Sequence, residues 1–255
     1  MEPEILGLLL TAALAAGWID AVVGGGGLLL LPALLVSAPQ APLATLLGTN
    51  KLASVFGTTS AALTYARKVR IQPRVVVPTA LLALVGSGLG AGLATALTNE
   101  VLQPIIMVVL AGVALMVYFR PTMGAAPDPG LHTRNRLLAT IALAGLGISF
   151  YDGLIGPGTG VFLIIALTAV LGLDFVTASA SAKIVNACTN LGALVVFAVG
   201  GHIDWLLGLT LAVCTIAGAQ IGARTALKRG SGFVRAVLLV VVLALLLRMG
   251  WDLFA

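Results

Sequence analysis

The chain has 255 residues, of which 60% are apolar and only 9% are charged, and its formal net charge is +5. Soluble proteins carry about 25% charged residues, so this composition excludes an ordinary soluble domain. The basic residues lie in short clusters between apolar runs, where the preference for positive charge in cytoplasmic loops accounts for them, so they do not indicate a nucleic-acid partner. We predict one all-α polytopic membrane domain, with the lipid bilayer as its surroundings.

Glycines, prolines and charged residues divide the chain into apolar runs that we predict to be helical. They cover residues 5–22, 27–37, 43–66, 75–97, 101–119, 137–151, 159–173, 175–199, 205–227 and 233–254. In each set of five, the first two runs are short and are joined by a glycine-rich break. This pattern predicts a broken or re-entrant helix hairpin followed by three spanning helices. A longer loop divides the chain into a first repeat (1–120), a cytoplasmic linker (121–134) and a second repeat (135–255).

The two halves align without a gap at an offset of 132 residues. Asp20 then matches Asp152, and Lys51 matches Lys183. Apolar matches between membrane segments occur easily by chance, but the chain has only four lysines and six aspartates. One match of each in a single register strongly indicates an internal repeat.

The charges of equivalent loops predict that the two repeats have inverted topology. The loop 67–74 carries four basic residues, whereas its counterpart at 199–206 carries none. In the next pair of loops the asymmetry is reversed, because basic residues flank 230–232 and an acidic residue lies in 98–100. Since cytoplasmic loops are enriched in Lys and Arg, equivalent loops should face opposite sides of the membrane. Both termini are then predicted to be extracytoplasmic.

Inverted repeats with broken helices are typical of secondary transporters, whose sites lie near the membrane midplane where the halves meet. Channels and some membrane enzymes also arise by duplication, so these alternatives stay open at this point. No Ser/His/Asp set, metal-binding cluster or nucleotide loop favours an enzyme, and no motif indicates a cofactor or a metal. The expected ligand is a small anionic substrate, and a homo-oligomer is left open.

Lys51 and Lys183 are the principal candidate site residues. Each lies about eight residues into a long apolar run, at a depth where a charge costs about 2.5–3.5 kcal/mol. Such a charge is tolerated when the side chain faces a cavity or a counter-charge. The alternative is that the long stem carries the ammonium group back to the membrane interface. Two lysines related by a pseudo-twofold axis would form a cationic site for an anion.

Neutral polar side chains lie on the same helix faces as the two lysines. They are found next to Lys51 and three and seven residues beyond each lysine, at Asn50, Ser54, Thr58, Asn186 and Asn190. This spacing stacks the side chains on one face of a helix. Such groups can hydrogen-bond an oxyanion without adding charge, although the same residue types also mediate helix packing in membranes.

The glycine-rich breaks are a second source of positive potential. A helix that begins after 24–27 or 156–160 exposes unpaired amides and the positive end of its dipole, which bind anions. The candidates there are Gly25, Gly26, Gly158 and Thr159, and the alternative is that the breaks are simply tight turns. Asp20 and Asp152 precede the breaks by four residues. Three roles stay open for each: pairing with a lysine, taking up a proton during transport, or capping the amides of its own hairpin.

Four motifs occur in order along the chain: Gly17-x-x-Asp20 with its glycine-rich break, Gly48-Thr49-Asn50-Lys51-Leu52, Tyr151-Asp152-Gly153 with Gly156-Pro157-Gly158-Thr159-Gly160, and Ser181-Ala182-Lys183-x-x-Asn186-x-x-x-Asn190. Over essentially the whole chain they resemble the TauE/SafE sulfite exporter family. The resemblance implies an inner-membrane carrier of a small sulfur-containing anion such as sulfite, sulfoacetate or another sulfonate, commonly in export. The alternatives are an anion channel and a carrier of a non-sulfur anion.

Overall fold

The computed structural model describes residues 3–95 and 127–254, and the predicted run 101–119 and linker residues 121–126 lie outside the described residues. Within those ranges the chain is helical. The helices are α1 (Pro3–Val23), α2 (Gly27–Ser37), α3 (Leu43–Ala66), α4 (Pro73–Ala94), α5 (Arg134–Leu154), α6 (Thr159–Leu171), α7 (Phe175–Val199) and α8 (Trp205–Phe254). A short 3-10 turn (Pro129–Leu131) precedes α5, which contains a π-helical stretch (Leu143–Ile148), and α8 is broken at Gly230.

The distribution of polar and apolar side chains is that of a membrane protein. Helices α1, α4, α5, α7 and α8 are each long and apolar enough to cross a bilayer. Large apolar side chains such as Leu81 and Leu89 are exposed on the outside, whereas Lys51, Lys183 and many hydroxyl and amide groups are buried inside. Lipid accepts the apolar exterior, and the helices satisfy their own backbone groups. The prediction of a polytopic helical membrane protein is confirmed.

The first helix of each hairpin is longer than the sequence indicated. We expected the runs 5–22 and 137–151 to be short, but α1 and α5 have 21 residues each. The expectation was wrong because both helices continue through polar first turns, at Glu4 and at Arg134. Only the second helices are short, with 11 residues in α2 and 13 in α6. Helices of that length cover about 16–20 Å, so each reaches only part of the way back across a bilayer of about 30 Å.

Equivalent helices of the two halves occupy corresponding stretches of sequence and have corresponding neighbours. At the offset of 132 residues, α2, α3 and α4 match α6, α7 and the first part of α8. Helix α1 packs on α8, and the matching helix α5 packs on α4. Gly90 lies against the carbonyl of Phe150 and the equivalent Gly222 against that of Trp18, where a Cβ would overlap the carbonyl oxygen. The first helix of each half therefore packs closely against the opposite half.

The equivalent helices α3 and α7 run in opposite directions. Near the start of α3, Thr49 Oγ1 accepts a hydrogen bond of 3.0 Å from the N–H of Asp204, which lies beyond the end of α7. At the other end of the molecule, Tyr65 near the end of α3 and Ser179 near the start of α7 both donate to carbonyls in the last turn of α1, at 3.0 and 3.3 Å. The inversion of the two halves relative to the membrane stays a prediction.

Candidate functional site

The two hairpin breaks meet at the centre of the molecule. Gly24 and Gly156, which are equivalent positions, have φ angles of 82° and 91°, a conformation that glycine adopts readily. The backbone of Gly24 lies so close to that of Gly160 that a Cβ on either residue would overlap the other. The second break is held by the hydroxyl of Tyr151, which donates to the carbonyl of Pro157 at 2.8 Å. The starts of α2 and α6 therefore lie next to each other.

Two ion pairs connect the halves beside these breaks. Lys51 Nζ on α3 lies 2.7 Å from Asp152 Oδ2 on α5, and Lys183 Nζ on α7 donates to Asp20 Oδ2 on α1 at 3.0 Å. The lysine side chains are 2% and 0% exposed, so neither ammonium group reaches an interface. Each aspartate faces a lysine of the opposite half rather than the amides of its own hairpin. An isolated buried charge is costly, so each pair keeps its members neutralised.

A small cavity lies between the breaks and the central helices α3 and α7. Both halves contribute predicted site residues to its wall. Those of the first half are Asp20, Asn50, Lys51 and Ser54, and those of the second are Asp152, Thr159, Asn186 and Asn190. The sequence thus identified residues that are brought together from distant parts of the chain.

Two predicted residues, Lys183 and Thr58, do not line this cavity. Lys183 is fully buried behind Asp20. Thr58 accepts a hydrogen bond of 3.4 Å from Asn190 Nδ2 and borders a small adjoining cavity, which shares Asp20 with the first. Thr215 also borders the adjoining cavity, and the sequence carried no signal for it because its counterpart in the first half is an alanine.

The glycines that line the main cavity are not those that we predicted. We expected Gly25, Gly26 and Gly158, whereas the wall contains their neighbours Gly24, Gly27, Gly156 and Gly160. Gly25, after the turn at Gly24, lies against Ile19 and Val241, and Gly26 lies at the adjoining cavity. Gly158 directly precedes α6 and has a φ of 86°. Equivalence at the repeat offset does not separate the two sets, because Gly26 and Gly158 are equivalent in the same way as Gly24 and Gly156.

Comparison with known proteins agrees with this architecture. The family model described as sulfite exporter TauE/SafE matches residues 9–249. The chain belongs to this family. It is 39% identical over 250 residues to the probable membrane transporter protein ORF9 of Sinorhizobium sp, covering 98% of this chain and 94% of that protein. It is 32% identical over 252 residues to the probable membrane transporter protein YfcA of Escherichia coli K12, covering 99% and 92%.

A further relative is a probable membrane transporter protein of Haemophilus influenzae, which is 31% identical over 249 residues and covers 98% of this chain and 96% of its own length. No solved structure matches the chain significantly. The predicted family membership is confirmed, and the TauE/SafE protein is a multi-pass membrane transporter rather than an enzyme.

The formal charges of the two ion pairs at the site of this TauE/SafE protein cancel, whereas the dipoles of α2 and α6 both have their positive ends at the cavity. Two lysines face two aspartates, while the first residues of α2 and α6, Gly27 and Thr159, both line the cavity. Each helix start contributes the equivalent of about half a positive charge. Asn50 is buried at the wall, and its Oδ1 has no hydrogen-bond partner among the described residues. The cavity therefore offers a polar ligand the ammonium group of Lys51, two helix starts and neutral polar side chains, beside the carboxylates of Asp20 and Asp152.

Proposed function

We propose that the protein is a secondary transporter that moves a small sulfur-containing oxyanion, such as sulfite, sulfoacetate or a related sulfonate, out of the cytoplasm by alternating access. The observation that carries this proposal is the cavity itself, because residues of both halves meet there around two buried Lys–Asp pairs and two helix starts. The substrate class follows the description of the family, sulfite exporter.

In this proposal, Lys51 supplies the positive charge that the anion contacts in the cavity. An ammonium group has three donors, so Lys51 can hold Asp152 and still donate to a ligand. The amides at the starts of α2 and α6 donate to the remaining oxygens of the anion. Asn50, Ser54, Asn186 and Asn190 orient it with neutral hydrogen bonds and add no charge that would hold it too tightly for release.

Alternating access then results from the two halves exchanging their inward and outward arrangements around this site. The proposal divides the chain into repeats at 1–120 and 135–255 with a cytoplasmic linker at 121–134, and places both termini outside the inner membrane. Export of a monoanion is already favoured by an inside-negative potential, by about 2.3 kcal/mol per charge per 100 mV. Asp20 and Asp152 are the candidates for proton uptake if transport is coupled to protons.

Counterflow in proteoliposomes tests the function directly. Vesicles are preloaded with unlabelled sulfite, sulfoacetate, sulfate or chloride, and uptake of labelled sulfite or sulfoacetate is followed with and without a pH gradient. A carrier of sulfur oxyanions gives saturable exchange that is lost in Lys51→Ala and Lys183→Ala. Conduction without saturation or counterflow would instead indicate an anion channel, and no exchange by folded protein would refute the substrate class.

A further inference from the structure

The two ion pairs are equivalent in sequence but have different surroundings. Lys51 and Asp152 both line the main cavity, and each side chain is 2% exposed. In the other pair, Asp20 lines the cavity and is 15% exposed, whereas Lys183 is 0% exposed and does not line it. A ligand in this cavity thus meets the ammonium group of Lys51 directly, while the carboxylate of Asp20 separates it from Lys183.

The hairpin breaks show the same asymmetry. A Cβ at Gly156 would lie 2.9 Å from Lys51 Nζ, so this ammonium group rests against the second break, close to the start of α6. The equivalent Gly24 rests against the backbone of Gly160, and Lys183 is not among its nearest neighbours. Lys51 therefore rests against the second break, whereas the corresponding place at the first break is taken by the backbone of Gly160.

We propose that Lys51 and Lys183 bind the transported anion in turn, one in each access state. In each state, the lysine that does not bind the anion is covered by the aspartate with which it is paired. The structure represents the Lys51 state, in which Asp20 covers Lys183. This proposal rests on the proposed function and goes further, because it assigns each lysine to one side of the transport cycle.

The energetic reason lies in the cost of separating buried charges. An anion bound by both lysines at once would have to displace Asp20 as well, leaving a carboxylate without its partner in a low-dielectric interior. Binding to Lys51 alone leaves both ion pairs in place, since the ammonium group has donors to spare. In the opposite access state, the surroundings of the two lysines are exchanged. Lys183 then lies at the cavity beside Gly24 and the start of α2, and Asp152 covers Lys51.

Two charge-neutral double variants test this division. Lys51→Met with Asp152→Asn removes one pair, and Lys183→Met with Asp20→Asn removes the other, without leaving a lone buried charge. Sulfite exchange is measured in inside-out and in right-side-out vesicles. In each, the sulfite concentration inside the vesicle is saturating and the outside concentration is varied, which gives the half-saturation concentration at the face that is exposed. Sulfoacetate replaces sulfite if the wild-type protein does not exchange sulfite. We expect each double variant to raise this concentration about tenfold or more at one face only, and the two variants to affect opposite faces.

Lys68→Met is the matched control, because it removes a lysine that is exposed in the loop after α3. Equal increases at both faces in both double variants would overturn the division while retaining both lysines as anion ligands. No change in either variant would remove the lysines from the site and overturn the division, while sulfite transport itself would stand. A folded wild-type protein that exchanges neither anion would instead refute the proposed function. If a double variant does not yield folded protein, Lys51→Arg and Lys183→Arg are measured at both faces, and shifts of equal size at the two faces would likewise overturn the division.

Discussion

Thr58 and Asn190, which occupy equivalent positions in the two halves, are hydrogen-bonded to each other, with Asn190 Nδ2 donating to Thr58 Oγ1 at 3.4 Å. Residues related by a twofold axis can touch only where they lie close to that axis. The predicted inverted repeat therefore places its pseudo-axis close to this contact, between the antiparallel helices α3 and α7. Lys51 and Lys183 lie on these same helices, each about two turns before the contact.

Asn190→Asp tests whether the cavity favours anions. The substitution places a third carboxylate at the wall, beside Asp20 and Asp152, and like charges in a buried site repel an anionic ligand. We expect the half-saturation concentration for sulfite exchange to rise about tenfold or more. Asn190→Ser, the uncharged control, should have a smaller effect, since a neutral hydrogen bond contributes about 0.5–1.5 kcal/mol. Equal effects of the two substitutions would argue against an anionic ligand.

Lys51→Met is expected to destabilise the protein because it leaves Asp152 buried without its partner. Breaking a buried ion pair from one side costs about 3–5 kcal/mol, whereas removing both charges is far less costly. We therefore expect a lower unfolding temperature for Lys51→Met and substantial recovery when Asp152→Asn is added, measured on purified protein by thermal unfolding.

The second pair supplies a comparison for this measurement. Lys183→Met should lower the unfolding temperature less than Lys51→Met, because Asp20 is 15% exposed and can be partly solvated, whereas Asp152 is 2% exposed. The ion pairs would not contribute to stability as described if the double variant with Asp152→Asn unfolded at the same temperature as Lys51→Met alone.

The sequence predicted which lysines and aspartates are members of the ion pairs, but not which lysine pairs with which aspartate. An ungapped repeat identifies equivalent residues, yet it cannot show that Lys51 meets the aspartate of the opposite half, because that depends on α5 packing against α4 and α1 against α8. It likewise could not show which glycines face the cavity, since this depends on the positive φ at Gly24 and Gly156. Helix ends were misjudged where polar first turns continue an apolar helix, as at Arg134.

Gly160→Ala is expected to disrupt the contact between the hairpin breaks. A Cβ at this position would overlap the backbone of Gly24, which has no flexible side chain that could move aside. Overpacking of this kind costs about 1–3 kcal/mol or more. We expect a loss of folded protein or of sulfite exchange, measured by size-exclusion chromatography and by counterflow.

Gly92→Ala is the matched control for the hairpin contact, because a Cβ at this helical glycine would meet no atom within 4 Å. Alanine also favours a helix over glycine by about 1 kcal/mol. The control should therefore fold and transport at least as well as the wild type. Normal folding and exchange by Gly160→Ala would show that the two breaks do not pack as closely as described.

Arg67→Cys and Val199→Cys test the inverted orientation of the halves. Arg67 follows α3 and Val199 ends α7, the two positions are equivalent at the repeat offset, and both are exposed. Because α3 and α7 are antiparallel and the basic loop 67–74 is predicted to be cytoplasmic, a membrane-impermeant maleimide should label Arg67→Cys only in inside-out vesicles and Val199→Cys only in right-side-out vesicles. Both variants are made in a background with Cys188 and Cys214 replaced by alanine, and labelling after solubilisation in detergent shows that each introduced thiol is reactive. Labelling of both from the same side would refute the inverted repeat, and with it the exchange of equivalent environments on which alternating access through this cavity depends.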